Sequence, residues 1–206
     1  MRQWRVARWP ARALPWLWLG LLAGCAEGGP QSPSDPGLRF EPTDPILLST
    51  GSPTKDEDPS VLRARDGSLY VAWFSDRGSN PDIYITRTVN GREWMPPVRV
   101  TTDAGGDFNP SLIQDDQGVF HLAWFRWTAP FRGHILFNSS PDGLTWDPRK
   151  EIPVTTTDGV DDWVPTLTQA ADGTLLVYFV SGLRAVQSTT SDLYLARRPP
   201  GASTWE

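Results

Sequence analysis

The chain repeats itself three times, and that repeat limits the architecture more than any single motif does. Setting Pro59, Pro110 and Pro165 in register aligns windows 56–74, 107–125 and 162–180 without a gap, at spacings of 51 and 55 residues. Asp56, Asp107 and Asp162 coincide, as do Gly67, Gly118 and Gly173. Trp73, Trp124 and Phe179 also coincide, in the runs LYVAWF, FHLAWF and LLVYFV. A period near fifty residues demands stacked copies of one small unit, because a unit of that size cannot shelter its own apolar surface.

Each window predicts two strands joined by a tight turn: PSVL, PSLI or PTLT after the proline, then Asp or Gln before Gly, then the apolar run. Glycine suits the turn because a positive φ costs it nothing. DIYITRT, HILFNSS and DLYLARR supply a third strand, and PVRVTT from Pro97 and IPVTTT from Ile152 supply a fourth. Period-2 alternation is only partial, as expected of sheets covered on both faces. Gly 18, Pro 20 and Trp 11, with no sustained helical period, fit short strands and many turns. The predicted fold is therefore all-β, with three four-stranded β-propeller blades over residues 46–206.

The turns after the third strands carry a family resemblance. Ser140, Asp142, Gly143, Thr145 and Trp146 in SPDGLTW resemble the Asp box of sialidase-like (BNR-repeat) propellers, one residue shorter between Asp and Gly than its commonest form. Thr88, Asn90, Gly91 and Trp94 in TVNGREW form a second copy, and Gly201, Thr204 and Trp205 a degenerate third. A hydroxyl and a carboxylate there accept backbone N–H bonds while the indole plugs the blade edge, so the motif is a folding device and says little about catalysis. The resemblance implies a six-bladed ring and, in active members, three arginines that grip a substrate carboxylate, a Tyr–Glu nucleophile and an acid Asp. Glu57 stands where the first arginine belongs, and its charge would repel such a substrate. Arg77, following AWFSD, and Asp82 match the second arginine and the acid in part. Because Asp192 recurs at the position of Asp82, the favoured reading is a blade-turn pair rather than catalytic groups.

Arg2, Arg5, Arg8 and Arg12 precede an apolar stretch from Ala13 to Ala23 that is too short to span a bilayer, the pattern of a signal peptide over residues 1–24. It ends in Leu22, Ala23, Gly24 and Cys25, which resembles a bacterial lipobox. Cys25, the single cysteine, would carry the lipid. Residues 25–45 are a Pro-rich tether, and Ala26 in place of Asp favours the outer membrane of the cell envelope. Removing the four arginines from 19 basic residues leaves 15 against 24 acidic, a net of −9, which argues against a nucleic-acid partner.

Asp56, Glu57, Asp58, Asp103, Asp107, Asp158, Asp161 and Asp162 crowd the loops entering the first strands. Carboxylates so placed suit Ca²⁺, yet the Asp, Asn and Gly spacing of a calcium loop is missing, so the favoured reading is solvated loop acids that cap strand ends, and no metal or cofactor is expected. Trp127, Phe131 and Trp163 either form a stacking platform for sugar rings or pack between blades. His121 is expected to be packed or channel-facing, and His134 has no metal partner in sequence.

A ring typically needs four to eight blades. Two expectations follow: further blades beyond Glu206, or a homodimer in which each chain lends ILLST (46–50) to its partner. The function expected is an envelope-anchored propeller without a complete catalytic site that binds carbohydrate or an envelope protein. The alternative is a piece of an exo-sialidase or related glycoside hydrolase.

Overall fold

A computed structural model describes residues 45–49, 55–128, 132–157, 160–182 and 191–206, all within one unit, Leu38–Glu206. The signal segment, Cys25, nearly all of the tether, Phe131 and Asp158 lie outside the described residues.

Three antiparallel sheets follow one another along the chain. The first runs β1 (Asp56–Arg63), β2 (Leu69–Ser75), β3 (Asp82–Thr88) and β4 (Val98–Arg99). The second runs β5 (Gly106–Gln114), β6 (Phe120–Thr128), β7 (Arg132–Ser140) and β8 (Ile152–Pro153), and the third β9 (Asp161–Gln169), β10 (Leu175–Gly182) and β11 (Ser191–Arg198). The expected sheets are thus present, with four, four and three strands. In the third, Arg197 and Glu206 exchange both backbone N–H···O bonds, at 2.7 and 2.8 Å. The hairpin glycines Gly67, Gly118 and Gly173 take φ of +82°, +87° and +86°.

Strand β6 shows why alternation was incomplete. Leu122 and Trp124 enter a core shared with Ala72, Phe74, Ile83 and Ile85 of the first sheet. Ala123 and Phe125 enter a second core with Leu167, Val177 and Phe179 of the third. Both faces of the middle sheet are therefore buried, and apolar side chains suit every position of the strand.

The first strands lie side by side, β1 against β5 and β5 against β9. The repeat supplies the links between them: Leu112 N donates to Ser60 Oγ (3.1 Å) and Leu167 N to Ser111 Oγ (2.9 Å). Likewise Arg65 N donates to Gln114 Oε1 (2.8 Å) and Asp116 N to Gln169 Oε1 (3.0 Å). Convergent first strands with short fourth strands at the far edge are blade geometry.

Three expectations need correction. First strands begin before their proline, because Asp58, Asn109 and Val164 adopt φ of +55°, +49° and +53° and bulge the strand there. The following proline, which has no N–H to lose, fits such a break in the ladder. Fourth strands are only two residues long, since the hydroxyls of Thr101 and Thr155 take the N–H groups of Ile83 (2.9 Å) and Ile135 (3.0 Å) that further backbone pairing would have used. Residues 46–49 form no strand. Leu48 instead packs with Trp94 on Val71, Trp73 and Tyr84 of the first sheet.

Candidate functional site

The repeated aspartates are internal fasteners. Asp107 is fully buried and accepts from Trp124 Nε1 (2.8 Å) and from Arg126 Nε and Nη2 (2.7 and 3.0 Å). Arg126 Nη1 reaches Glu151 Oε2 (2.8 Å), tying β6 to the segment before β8. Burial pushes the Asp107 carboxyl up, with Arg126 opposing it. Asp56 accepts from Trp73 Nε1 (3.0 Å) and Arg77 Nη2 (2.9 Å), and Asp162 from Ser181 Oγ. Each carboxylate thus clamps the second strand of its own blade, and Asp107 and Asp162 are fully buried rather than solvated.

Arg77 and Asp82 do not meet as a pair. The Arg77 guanidinium binds Asp56 and lies over Tyr84 and Trp73, 4.5 and 5.8 Å from their ring centroids. Asp82 is fully buried, its Oδ2 2.7 Å from Arg99 Nη2. Burial raises its carboxyl, with Arg99 countering and Asp107 adding to the rise. The tryptophans divide as well: Trp163 packs against the core between the second and third sheets, whereas Trp127 is 40% exposed. His134 is half-buried on β7, and His121 is buried on β6.

The turns after the third strands are held locally. Thr88 Oγ1 accepts from Gly91 N (3.0 Å), and Asn90 Oδ1 from Arg92 and Glu93 N (both 2.9 Å). Ser140 Oγ accepts from Gly143 N (3.0 Å), and Asp142 Oδ1 from Leu144 N (2.9 Å) and Thr145 N (2.7 Å). Thr145 Oγ1 donates to Asp142 Oδ2 (2.8 Å), and Trp146 Nε1 to Gly143 O (3.1 Å). Trp146 joins the core between the first two sheets, while Trp94 covers the opposite face of the first. These bonds fasten blade edges, and no cavity chemistry arises from them.

A cavity of about 550 Å³ opens where the first and second sheets meet, at the end where first strands begin and second strands finish. One wall is a run of rings: Phe74 and Phe108 at 5.0 Å, Phe108 and Phe125 at 5.9 Å, Phe125 and Trp127 at 6.0 Å between centroids. The other carries Glu57, Asp58, Asp76 and Asn109. Among the described residues Lys55 is the one cation lining it, and its backbone N–H binds Asp76 Oδ1 (2.8 Å). Asn109 Nδ2 donates to Asp58 Oδ2 (2.7 Å), so the two bulge residues link adjacent blades. Burial, then Glu57, raises the Asp58 carboxyl. Asp and Asn tolerate the left-handed backbone these positions require, which places short polar side chains at the cavity mouth. Glu57, Asp58 and Trp127 were visible as candidates in sequence. Asp76, Asn109 and the phenylalanines were not, although Asn109 directly precedes the repeated proline.

No protein-family model matches the sequence, and no curated protein matches it. The fold is similar to solved structures. An alpha-L-arabinanase of Penicillium chrysogenum, complexed with arabinobiose, matches with TM-score 0.57 at 15% identity, over 68% of this chain and 46% of the other. An alpha-L-arabinofuranosidase of Fusarium graminearum, in complex with an iminosugar inhibitor, matches with TM-score 0.59 at 18% identity, over 73% and 47%. An endo-1,4-beta-xylanase of Bacteroides thetaiotaomicron matches with TM-score 0.52 at 16% identity, over 69% and 54%. The chain spans about half the length of each of these structures.

These neighbours are arabinose- and xylose-directed glycosidases by name, and they overturn the resemblance to the sialidase-like family. The physical reason is that turn chemistry of hydroxyl, carboxylate and indole is local and reports only a blade edge, while Glu57 stands where the sialidase resemblance required an arginine. At these identities the likeness establishes the fold: this chain is built of β-propeller blades.

Proposed function

We propose that the protein is a carbohydrate-recognising propeller module, taking neutral glycans at the cavity between the first two sheets and held at the cell envelope by lipid on Cys25. The observation that carries the proposal is the juxtaposition of an exposed indole, Trp127, with carboxylates and an amide facing it across about 550 Å³. Sugar rings offer apolar C–H faces that stack on aromatic surfaces, and hydroxyls that bind carboxylate and amide acceptors. Among the described lining residues three acids stand against one lysine, which selects against anionic sugars. Arabinose and xylose oligomers are uncharged, and similarity to arabinanase and xylanase folds makes them the first ligands to test.

The test is titration of the full chain with arabinan and xylan oligosaccharides, monitored by tryptophan fluorescence and calorimetry. Binding should weaken at least tenfold in Trp127→Ala, and sialyllactose should not bind. Absence of binding to any neutral glycan, or affinity unchanged in Trp127→Ala, rejects the proposal. A second reading, glycoside hydrolysis, draws on the raised Asp58 carboxyl beside Glu57, a pairing suited to general acid chemistry. It requires reducing-sugar release that disappears in Asp58→Asn.

A further inference from the structure

At the opposite rim, the second blade holds a constellation that its sister blades lack. His121 on β6 and Ser139 on β7 are directly opposed in the ladder, so their side chains share a face. His121 Nδ1 lies 2.8 Å from Ser139 Oγ, and His121 Nε2 lies 2.8 Å from Asp115 Oδ2 in the turn between β5 and β6. Asp115 is fixed in turn: its Oδ1 accepts the N–H groups of Gln117 (2.9 Å) and Val119 (2.8 Å).

The tautomer follows from the partners. An ionised carboxylate only accepts, so Nε2 carries the proton and Nδ1 presents its lone pair to the Ser139 hydroxyl. Burial pushes the Asp115 carboxyl up, but His121 and the Val119 N–H outweigh it and hold it below its usual range. Burial pushes the His121 imidazole down despite Asp115, so it stands neutral at physiological pH. Phe137 stacks on the ring at 5.5 Å and fixes its plane.

Repeat-wide scaffolding would recur, as the aspartate clamps do. This arrangement does not recur: the positions of Asp115, His121 and Ser139 hold Ala64, Tyr70 and Arg87 in the first sheet, and Ala170, Leu176 and Arg197 in the third. Space is available on both sides of it. Asp115 and His121 line a cavity of about 700 Å³, and Ser139 lines one of about 250 Å³ with Lys150. Arg198 and Ser203 border both.

We propose that Ser139, His121 and Asp115 form an esterase site, separate from the glycan cavity, for short-chain acyl esters. Ser139 Oγ gives its proton to His121 Nδ1 and bonds to the ester carbonyl carbon, with Lys150 and Arg198 supplying positive charge for the oxyanion. The carbon–alkoxide bond breaks, and His121 returns the proton to the departing alcohol. Water then repeats the exchange: its proton passes to His121, its oxygen bonds to the acyl carbon, and Ser139 leaves with the proton restored, releasing a carboxylic acid. Asp115 acts as a positioning residue that sets the tautomer. A cavity of about 250 Å³ offers room for an acetyl-sized group.

The full chain is treated with a biotinylated fluorophosphonate, the adduct is mapped by mass spectrometry, and p-nitrophenyl acetate and palmitate hydrolysis are followed against pH. We expect an adduct on Ser139 and acetate turnover that rises with pH as His121 loses its proton. Ser139→Ala should abolish both signals, and His121→Gln and Asp115→Asn should each lower turnover at least tenfold, with palmitate untouched throughout. Circular dichroism confirms that each variant keeps its sheets. An unlabelled Ser139 in the folded wild-type chain, or labelling at the same rate in folded His121→Gln, overturns the proposal and leaves the three groups a purely structural network.

Discussion

Asp142 shows how a single side chain serves a blade edge. Burial disfavours its charge, yet the N–H groups of Thr145 and Leu144 and two hydroxyls outweigh that cost and bring its pKa from 3.8 down to about 2. A carboxyl lowered on folding contributes stability that is fully present above its unfolded value and is lost as pH falls through its folded value. Stability should therefore decline between about pH 4 and pH 2. Urea midpoints measured across that window should fall less steeply in Asp142→Asn than in the wild type. A slope unchanged by the substitution would mean that the turn contacts do not bias ionisation.

At the scale of elements, the turns between third and fourth strands differ in how far neighbours press on them. Gly143 has φ +73°, and a Cβ added there would meet the rings of Tyr70 and Phe120 at 2.8 Å. Gly201, at the corresponding turn of the third blade, has φ +80° and open space around it. Alanine at Gly201 should cost roughly 1–2 kcal/mol, the backbone strain alone. Gly143→Ala adds a clash with two core rings and should exceed it by at least about 1 kcal/mol. Equal losses in chemical denaturation would show that the rings move aside freely. The same comparison explains why turn types were legible in sequence while their packing was not: the glycine sets the backbone within one repeat, but Tyr70 presses on Gly143 from the neighbouring repeat.

For the whole molecule, the two faces of the third sheet behave differently. Val177, Phe179 and Ala196 are buried against the second sheet. On the other face Leu193, Leu195 and Tyr178 are 71%, 45% and 37% exposed. An apolar patch on an open sheet face favours association. Sedimentation velocity should show self-association that grows with concentration, and Leu193→Lys with Leu195→Lys should return the chain to a monomer. A wild-type chain that stays monomeric at high concentration would rule out this face as a contact surface. Within the single chain residues 46–49 form no strand, and Leu48 packs on the first sheet.

The repeat by itself determined the number of sheets, the order of their strands and the hairpin glycines. All of these depend on contacts made within one window of about fifty residues, where residue type and spacing are copied together. Only the tertiary structure decided where the chain departs from its own repeat. The cavity between the first two sheets draws Phe74 and Asp58 from one blade and Phe125, Trp127 and Asn109 from the next. Arg77 and Asp82 went to different partners, Asp56 and Arg99. The Ser139, His121 and Asp115 contacts appear once two strands and a turn are set in register. Such groupings arise from side chains far apart in sequence whose separation is fixed by sheet twist and blade stacking, quantities that no local pattern encodes.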